Sequence, residues 1–436
     1  MVVILEEPRF CRHRALGIKR GIFVADCKRF CNFAQQNNKE TVQVAQYINS
    51  DTALPLILAC LALVIAIIEL TVYLPRVIKV SRTVKAQGEE PVAATGYPKA
   101  SIVIYSHNDA DGIAELLPQL LRQDYPEEYE IIVVNDGRDD STEALLNSLD
   151  EGDIRIYHTF TPRDTRNVSR KKLALTLGIK AASHEAIVHI TSATRVTSAT
   201  WLRRMAYPLG CDGTDVVIGY ATSAEKDGNS SRTRDDDRLI DSVHYLSAAL
   251  KGKTYRGDGN NLAYRRSTFF ALKGFSNSLN LHYGDDDIFV ADASAPDNTV
   301  VMISPDAQVK AVSDNPADDY MYSKLRHAFT AKFAGTREHL FYGFCSLLMW
   351  CWLASGAAAV ILAPLNPVTC ATVAASALAL WIPVIISWNN AAKALQSRKF
   401  MFSVPVFLMW RPIRNFVYLL KSKKIHDAQY AWQTTN

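Results

Sequence analysis

Three adjacent carboxylates, Asp285, Asp286 and Asp287, close a segment that opens with Gly257-Asp258-Gly259-Asn260-Asn261. Like charges at contact distance raise one another's pKa unless a cation or water relieves them, so such a cluster is either a solvated helix start or an acid/base site. Acids favour a helix N-terminus, and Ile288-Phe289-Val290 reads as the start of one. Gly257 and Gly259 let a ligand approach the backbone closely. A second candidate is Asp136 in Asn135-Asp136-Gly137, which reads as a turn residue or as an acceptor for a base or ribose. A third is the pair Lys171 and Lys172 at a helix start, where a cation is locally unfavourable and an anion such as a diphosphate would offset it.

These residues need a scaffold, and the flanking pattern supplies one. Short apolar runs at 101–105, 131–134, 154–157 and 187–191 read as strands. Between them, 110–123, 141–149 and 169–182 have helical spacing. The alternation predicts an α/β fold with a parallel sheet, whose ligands bind at the carboxyl ends of the strands. Those ends carry Asn108-Asp109, Asn135-Asp136 and Ser192-Ala193-Thr194.

Lys and Arg total 48 against 44 Asp and Glu, a mild excess that gives no case for a nucleic-acid partner. The apolar residues are concentrated: 54–74 holds one charge, Glu69, and 340–363 and 365–389 hold none. About twenty apolar residues span a bilayer core, so three transmembrane helices are expected, with Pro383 kinking the third. The expected organisation is a tail at 1–52, helices at 53–75, 339–364 and 365–389, a linker at 76–98, a catalytic domain at 99–336 and an interfacial C-terminal segment at 390–436. Arg76, Lys79, Arg82 and Lys85 follow the first helix, and Lys393, Arg398 and Lys399 follow the third. The positive-inside rule then makes the central domain cytoplasmic in a multi-pass inner-membrane protein. The basic tail, with Arg9, Arg12 and Lys19, conflicts with that orientation. Cys211 is alone between the first and second helices, so no disulfide framework is expected there. Cys27 and Cys31 lack histidine partners, so no metal site is expected in the tail.

The motifs occur in a recognisable order. They are Val103-Ile104-Tyr105-Ser106-His107-Asn108-Asp109, Gln123-Asp124-Tyr125-Pro126, Ile131-Ile132-Val133-Val134-Asn135-Asp136-Gly137, Lys171-Lys172-Leu173, Trp201-Leu202, Gly259-Asn260-Asn261-Leu262-Ala263-Tyr264-Arg265 and Gly284-Asp285-Asp286-Asp287. From about residue 100 onward the chain resembles family 2 glycosyltransferases of the Rossmann-like GT-A fold, in a membrane-anchored bacterial branch with one helix before the domain and a hairpin after it. The resemblance implies that Asp109 and Asp136 contact the nucleotide of a nucleotide-sugar donor and that Lys171 lies near its phosphates. It implies that Gly257, Gly259, Asn260 and Asn261 line the donor-sugar and acceptor cleft. Asp286 would be the general base, with Asp285 and Asp287 as neighbouring candidates. Arg326, in Ser323-Lys324-Leu325-Arg326-His327, would grip the diphosphate. His327 is also readable as a surface histidine on an amphipathic helix.

One departure matters. The family carries Asp-x-Asp after the fourth strand to hold manganese or magnesium, and this chain has Ser192-Ala193-Thr194. Those metals prefer carboxylate oxygens. Three routes stay open: a cation held by Asp285 or another acid, a diphosphate neutralised by Lys171, Arg195 and Arg326, or a chain without activity. The resemblance therefore implies a transferase acting on a lipid-linked or glycan acceptor, or an inactive scaffold subunit of an envelope-glycan assembly complex. A processive synthase ranks last, since three spanning helices offer little material for a channel.

Overall fold

A computed structural model describes residues 50–90, 96–137, 139–149, 155–162, 168–225, 231–279, 281 and 283–424. The expectations for the tail to residue 49, including Cys27 and Cys31, fall outside these residues. The strands are β1 (Ala100–Ser106), β2 (Tyr129–Asn135), β3 (Ile156–Phe160), β4 (Ala186–Thr191), β5 (Thr194–Arg195), β6 (Val216–Ile218), β7 (Ala221–Glu225), β8 (Leu262–Arg265), β9 (Thr299–Val301) and β10 (Val309–Ser313). The helices are α1 (Ser50–Val72), α2 (Leu74–Glu89), α3 (Ala110–Leu121), α4 (Asp140–Leu149), α5 (Arg170–Ala181), α6 (Trp201–Gly210), α7 (Arg232–Ala249), α8 (Arg266–Ala271), α9 (Ile288–Ala293), α10 (Pro316–Thr330), α11 (Thr336–Leu362), α12 (Pro367–Ala394) and α13 (Val404–Lys424).

The main sheet runs β3-β2-β1-β4-β8-β6-β9. The first four strands are parallel, and β8 is antiparallel to both β4 and β6. Both faces are buried. Ile102, Ile104, Ile131 and Val133 belong to one core with α3 and α6, while Val103, Ile132 and Val134 belong to the other with α5 and α7. Strands covered on both sides read as continuous apolar runs, which is how they announced themselves in the sequence. The expected α/β class holds. A small second sheet, β5-β10-β7, adds a wall beside the end of β4 that the sequence pattern did not suggest.

Two expectations change. Most of the stretch expected to be a linker at 76–98 is helix: α2 continues to Glu89, with Val77, Val80 and Val84 buried. Their spacing of three and four residues gives one apolar face, which packs on α7. The third strand lies later than expected, at 156–160, pairing Ile156 with Ile131 and Phe160 with Asn135. It is an edge strand, half-exposed after Ile156, so its polar members hid it.

Among the described residues three helices are long and apolar enough to cross a membrane: 53–89, 337–362 and 367–394. Pro383 lies inside the last of them. The chain divides into two compact units. In the smaller, whose described residues are 50–61 and 355–374, Asn366 closes the turn into α12, its Oδ1 accepting from the amides of Val368 at 3.0 Å and Thr369 at 3.2 Å. The larger, residues 62–354 and 375 onward, holds both sheets and the candidate site. In it, α13 packs along α10 and α7 and leaves Trp410 and Phe416 exposed. That helix is longer than the apolar stretch 400–410 read from the sequence, because it continues through Pro412.

Candidate active site

Asp136 sits where β2 ends, buried, in a ring of donors. Its Oδ1 accepts from Arg170 Nε at 2.7 Å and Thr161 Oγ1 at 2.9 Å, and its Oδ2 from Tyr105 OH at 3.2 Å. Burial works to raise the carboxyl's pKa, but the hydrogen bonds from His107, Arg170 and Thr161 prevail and lower it. The turn beyond demands glycine: a Cβ on Gly137 would fall 1.6 Å from Asn108 Oδ1. Asp109 has a local task, capping α3 by accepting from the Gly112 amide at 2.9 Å.

The start of α5 distributes three successive cations. Arg170 reaches Asp136, Lys171 reaches Asp285 Oδ2 at 2.5 Å, and Lys172 turns inward. Buried Lys172 donates to the carbonyls of Ser278 at 2.6 Å, Leu281 at 3.2 Å and Tyr283 at 2.7 Å. It clamps the chain leading into the acidic triad. Burial pushes its ammonium down to about 8. Of the two lysines read as anion partners, only Lys171 faces the site. Its Nζ lies 5.6 Å from the Tyr105 ring centroid, which joins the Asp136 region to the triad.

The triad is no solvated helix start: all three side chains are buried. Burial works to raise Asp285, yet Lys171 and then Arg326 hold it well below the usual carboxylate range. Asp287 accepts from Thr330 Oγ1 at 2.5 Å and His327 Nδ1 at 3.1 Å, with Arg256 Nε 3.5 Å away. Burial and the Arg256 charge drive His327 down to about 3, so at neutral pH it meets Asp287 as a neutral donor. Against its burial, Asp287 is held well below the usual carboxylate range by its contact with His327, then by the Arg256 charge, with that of Arg326 behind it. His327 is therefore not a surface histidine.

Asp286 differs from both neighbours. Burial raises it to about 6, Arg326 pulls it down, and Asp285 and Asp287 push it up. Arg326 Nη2 stands 3.1 Å from its Oδ2. Gly257 N–H donates to its carbonyl at 2.9 Å and fixes the triad backbone. A Cβ on Gly259 would stand 3.3 Å from Asp286 Oδ2 and 3.5 Å from Lys171 Nζ, in the space an incoming group needs.

Gly257, Asp258, Asn260, Asp286 and Arg326 line a cavity of about 550 Å³ that also reaches α7, the small sheet and Arg398. Asn261, expected in this cleft, points away from it. It is fully buried, its Nδ2 donating to the carbonyls of Tyr220 and Ala307 and its Oδ1 accepting from Trp201 Nε1 at 3.1 Å. Its task is to tie the loop to α6 and both sheets.

The segment Ser192-Ala193-Thr194 does not fit a divalent metal. Thr194 is fully buried, and its hydroxyl accepts from the Thr191 amide at 3.3 Å. Thr191 Oγ1 in turn donates to Asn260 Oδ1 at 2.7 Å. No carboxylate stands in for the missing acids, and no cluster of three or more His, Cys, Asp or Glu poised to hold a metal occurs among the described residues. Arg195 is committed elsewhere, to Glu115 and to the carbonyls of Ser192 and Thr194, which leaves Lys171, Arg256 and Arg326 as the cations beside the triad.

Sequence reasoning missed Arg170, Arg256 and Thr330. Arg170 directly precedes Lys171-Lys172 and Arg256 directly precedes the first glycine of the loop, and that adjacency was the available signal; Thr330 carried none.

Residues 101–273 match the family model described as Glycosyl transferase family 2. No curated protein matches. Among solved structures, a mannosyltransferase from Pyrobaculum calidifontis in complex with GDP-Man and Mn2+ aligns at 18% identity and a TM-score of 0.45, over 81% of this chain and 99% of its own. TarS from S. aureus aligns at 15% identity and 0.37, over 75% of this chain and 55% of its own. Its 1–349 form in complex with UDP-GlcNAc aligns at 14% and 0.38, over 75% and 90%.

Proposed function

We propose, from the premise that residues 101–273 are a family 2 glycosyl transferase domain, that this chain moves a sugar from a nucleotide-sugar donor to a lipid-linked or glycan acceptor. The basic flanks at Arg76 to Lys85 and Lys393 to Lys399 support a cytoplasmic position for the domain. The observation that carries the reading is the contrast inside the triad: two carboxylates are held ionised, while the middle one is poised near 6 beside an open cavity. A base works best with a pKa near the working pH.

In this reaction the acceptor hydroxyl gives its proton to Asp286. Its oxygen forms the new bond to the anomeric carbon, and the bond from that carbon to the diphosphate breaks with inversion. The nucleoside diphosphate leaves with the electron pair, stabilised by Lys171 and Arg326. Asp136 and Arg170 would take the nucleoside at the ends of β1 and β2. No step is assigned to a metal. A second reading, a binding or scaffold subunit of an envelope-glycan assembly complex, is favoured by one observation, the carboxylate-free Ser192-Ala193-Thr194 segment.

Calorimetry of UDP and GDP on the detergent-solubilised chain, with and without manganese, separates these. Binding indifferent to manganese is expected of a working site. If neither nucleotide bound, the scaffold reading would replace the transferase.

A further inference from the structure

A second cavity, of about 560 Å³, lies between α10, α11 and α13. Its lining is of two kinds. Arg256, Lys324 and His327 also line the cavity holding Asp286, so the two spaces meet at a shared wall. Leu347, Trp350, Phe416 and Leu419, all exposed, make the apolar part. Leu347 and Trp350 belong to a helix apolar enough to cross a membrane. A slot that is polar beside a reactive carboxylate and apolar where it opens beside a spanning helix has the shape and polarity of an amphiphile.

The charge of the polar part selects among amphiphiles. Arg256, Lys324 and Arg411 line it against one lining carboxylate, Asp241, and with Arg414, Asp237 and Asp287 directly behind them the cluster holds four cations to three carboxylates. Lys324 lies 2.9 Å from both Asp237 and Asp241, and Arg411 and Arg414 stand at 2.8 and 2.7 Å from Asp237. The surplus positive charge favours an anionic head.

We infer that this cavity seats the acceptor as a membrane lipid whose head carries both a phosphate and the reacting hydroxyl, the phosphate at the Arg256–Lys324–Arg411 wall, the hydroxyl toward Asp286 and the apolar chain leaving between α11 and α13. The inference rests on the transferase reading and names the acceptor class that reading left open. The head reaches the triad from the Arg256 and His327 side, while the donor occupies the Lys171 side. Asp286 then stands between the two substrates.

The test uses the full chain in nanodiscs and farnesyl phosphate carrying a photoreactive diazirine on its chain. Cross-links are expected on α11 and α13, and farnesol with the same label should bind roughly tenfold or more weakly. Gly343 lines this cavity, and a Cβ placed there meets nothing within 4 Å. Gly343→Leu starts from an unhindered Cβ and should narrow the slot, cutting cross-linking several-fold while UDP and GDP affinities stay unchanged. Equal labelling by farnesol would overturn the anionic head. Unchanged labelling of Gly343→Leu would overturn the site, and competition by inorganic phosphate alone as effective as by unlabelled farnesyl phosphate would make it an anion site and not a lipid site. Nucleotide binding on the same sample tells loss of this inference from loss of the transferase reading.

Discussion

Arg326 Nη2 lies 3.1 Å from Asp286 Oδ2, while Oδ1 of the same carboxylate is buried with no hydrogen-bond partner among the described residues. The carboxylate has one steadying partner and no second donor, so it keeps the capacity to accept a proton. Asp286→Asn keeps the shape and removes the base. Sugar transfer should fall by about 10²–10⁴-fold, with nucleotide affinity nearly unchanged by calorimetry. A rate within a few-fold of the parent would remove Asp286 from this role.

The same pair sets a pH dependence. The base must be deprotonated, so the rate should rise with pH through about 6 and level off above it. Arg326 lowers the Asp286 pKa, so Arg326→Gln should move the acidic limb upward, by about one pH unit or more. A pH–rate profile of kcat/KM for both proteins reads this directly. A limb that stayed in place would mean that another group titrates.

Asp136 carries a separate prediction. Its carboxylate orders Tyr105 of β1, Thr161 just past β3 and Arg170 at the start of α5. Asp136→Asn retains the size but weakens the grip on Arg170. Nucleotide affinity should drop by roughly tenfold, worth about 1.4 kcal/mol. Unchanged affinity would reduce Asp136 to a turn residue.

What the sequence disclosed follows from locality. The triad is three consecutive residues, and Asp136 ends an apolar strand, so both were visible as patterns. Lys171 and Lys172 looked alike because adjacency says nothing about which way a side chain leaves a helix. The structure sends one to Asp285 and buries the other. Asn261 looked like its neighbour Asn260, yet one faces the cavity and the other the core. The linker was misread because Gly88 and the polar residues outweighed Val77, Val80 and Val84, whose spacing was the helical signal. The cluster of Asp237, Asp241, Lys324, Arg411 and Arg414 could not be seen at all. Its members come from α7, α10 and α13, and only folding brings them together.

Lys172 is a stability determinant more than an anion ligand. Its ammonium holds three carbonyls and the Ser278 hydroxyl in a buried space. Lys172→Met fills a similar volume but leaves those acceptors bare, at about 1–3 kcal/mol for each that finds no water. Thermal unfolding should shift down by several degrees. Transfer should fall more than nucleotide affinity does, because the released segment leads into Asp285 and Asp286 and not to Asp136. Equal losses in both would mean general unfolding and not a displaced triad.

The site at the end of β4 is committed against a metal by packing as well as by residue type. Thr194 is fully buried and hydrogen-bonded to Thr191, which in turn holds Asn260. Replacing Ser192 and Thr194 together by Asp inserts two carboxylates into this space. An uncompensated buried charge is costly, so the double variant should melt earlier than the parent in chelator. Manganese should restore part of the difference, and nucleotide binding should become manganese-dependent while that of the parent does not. The gain requires Asn260 and the loop before β8 to yield enough for both acids to reach one ion. If manganese left both the melting temperature and the nucleotide affinity of the variant unchanged, the surrounding pocket would have lost the shape of a metal site along with its ligands.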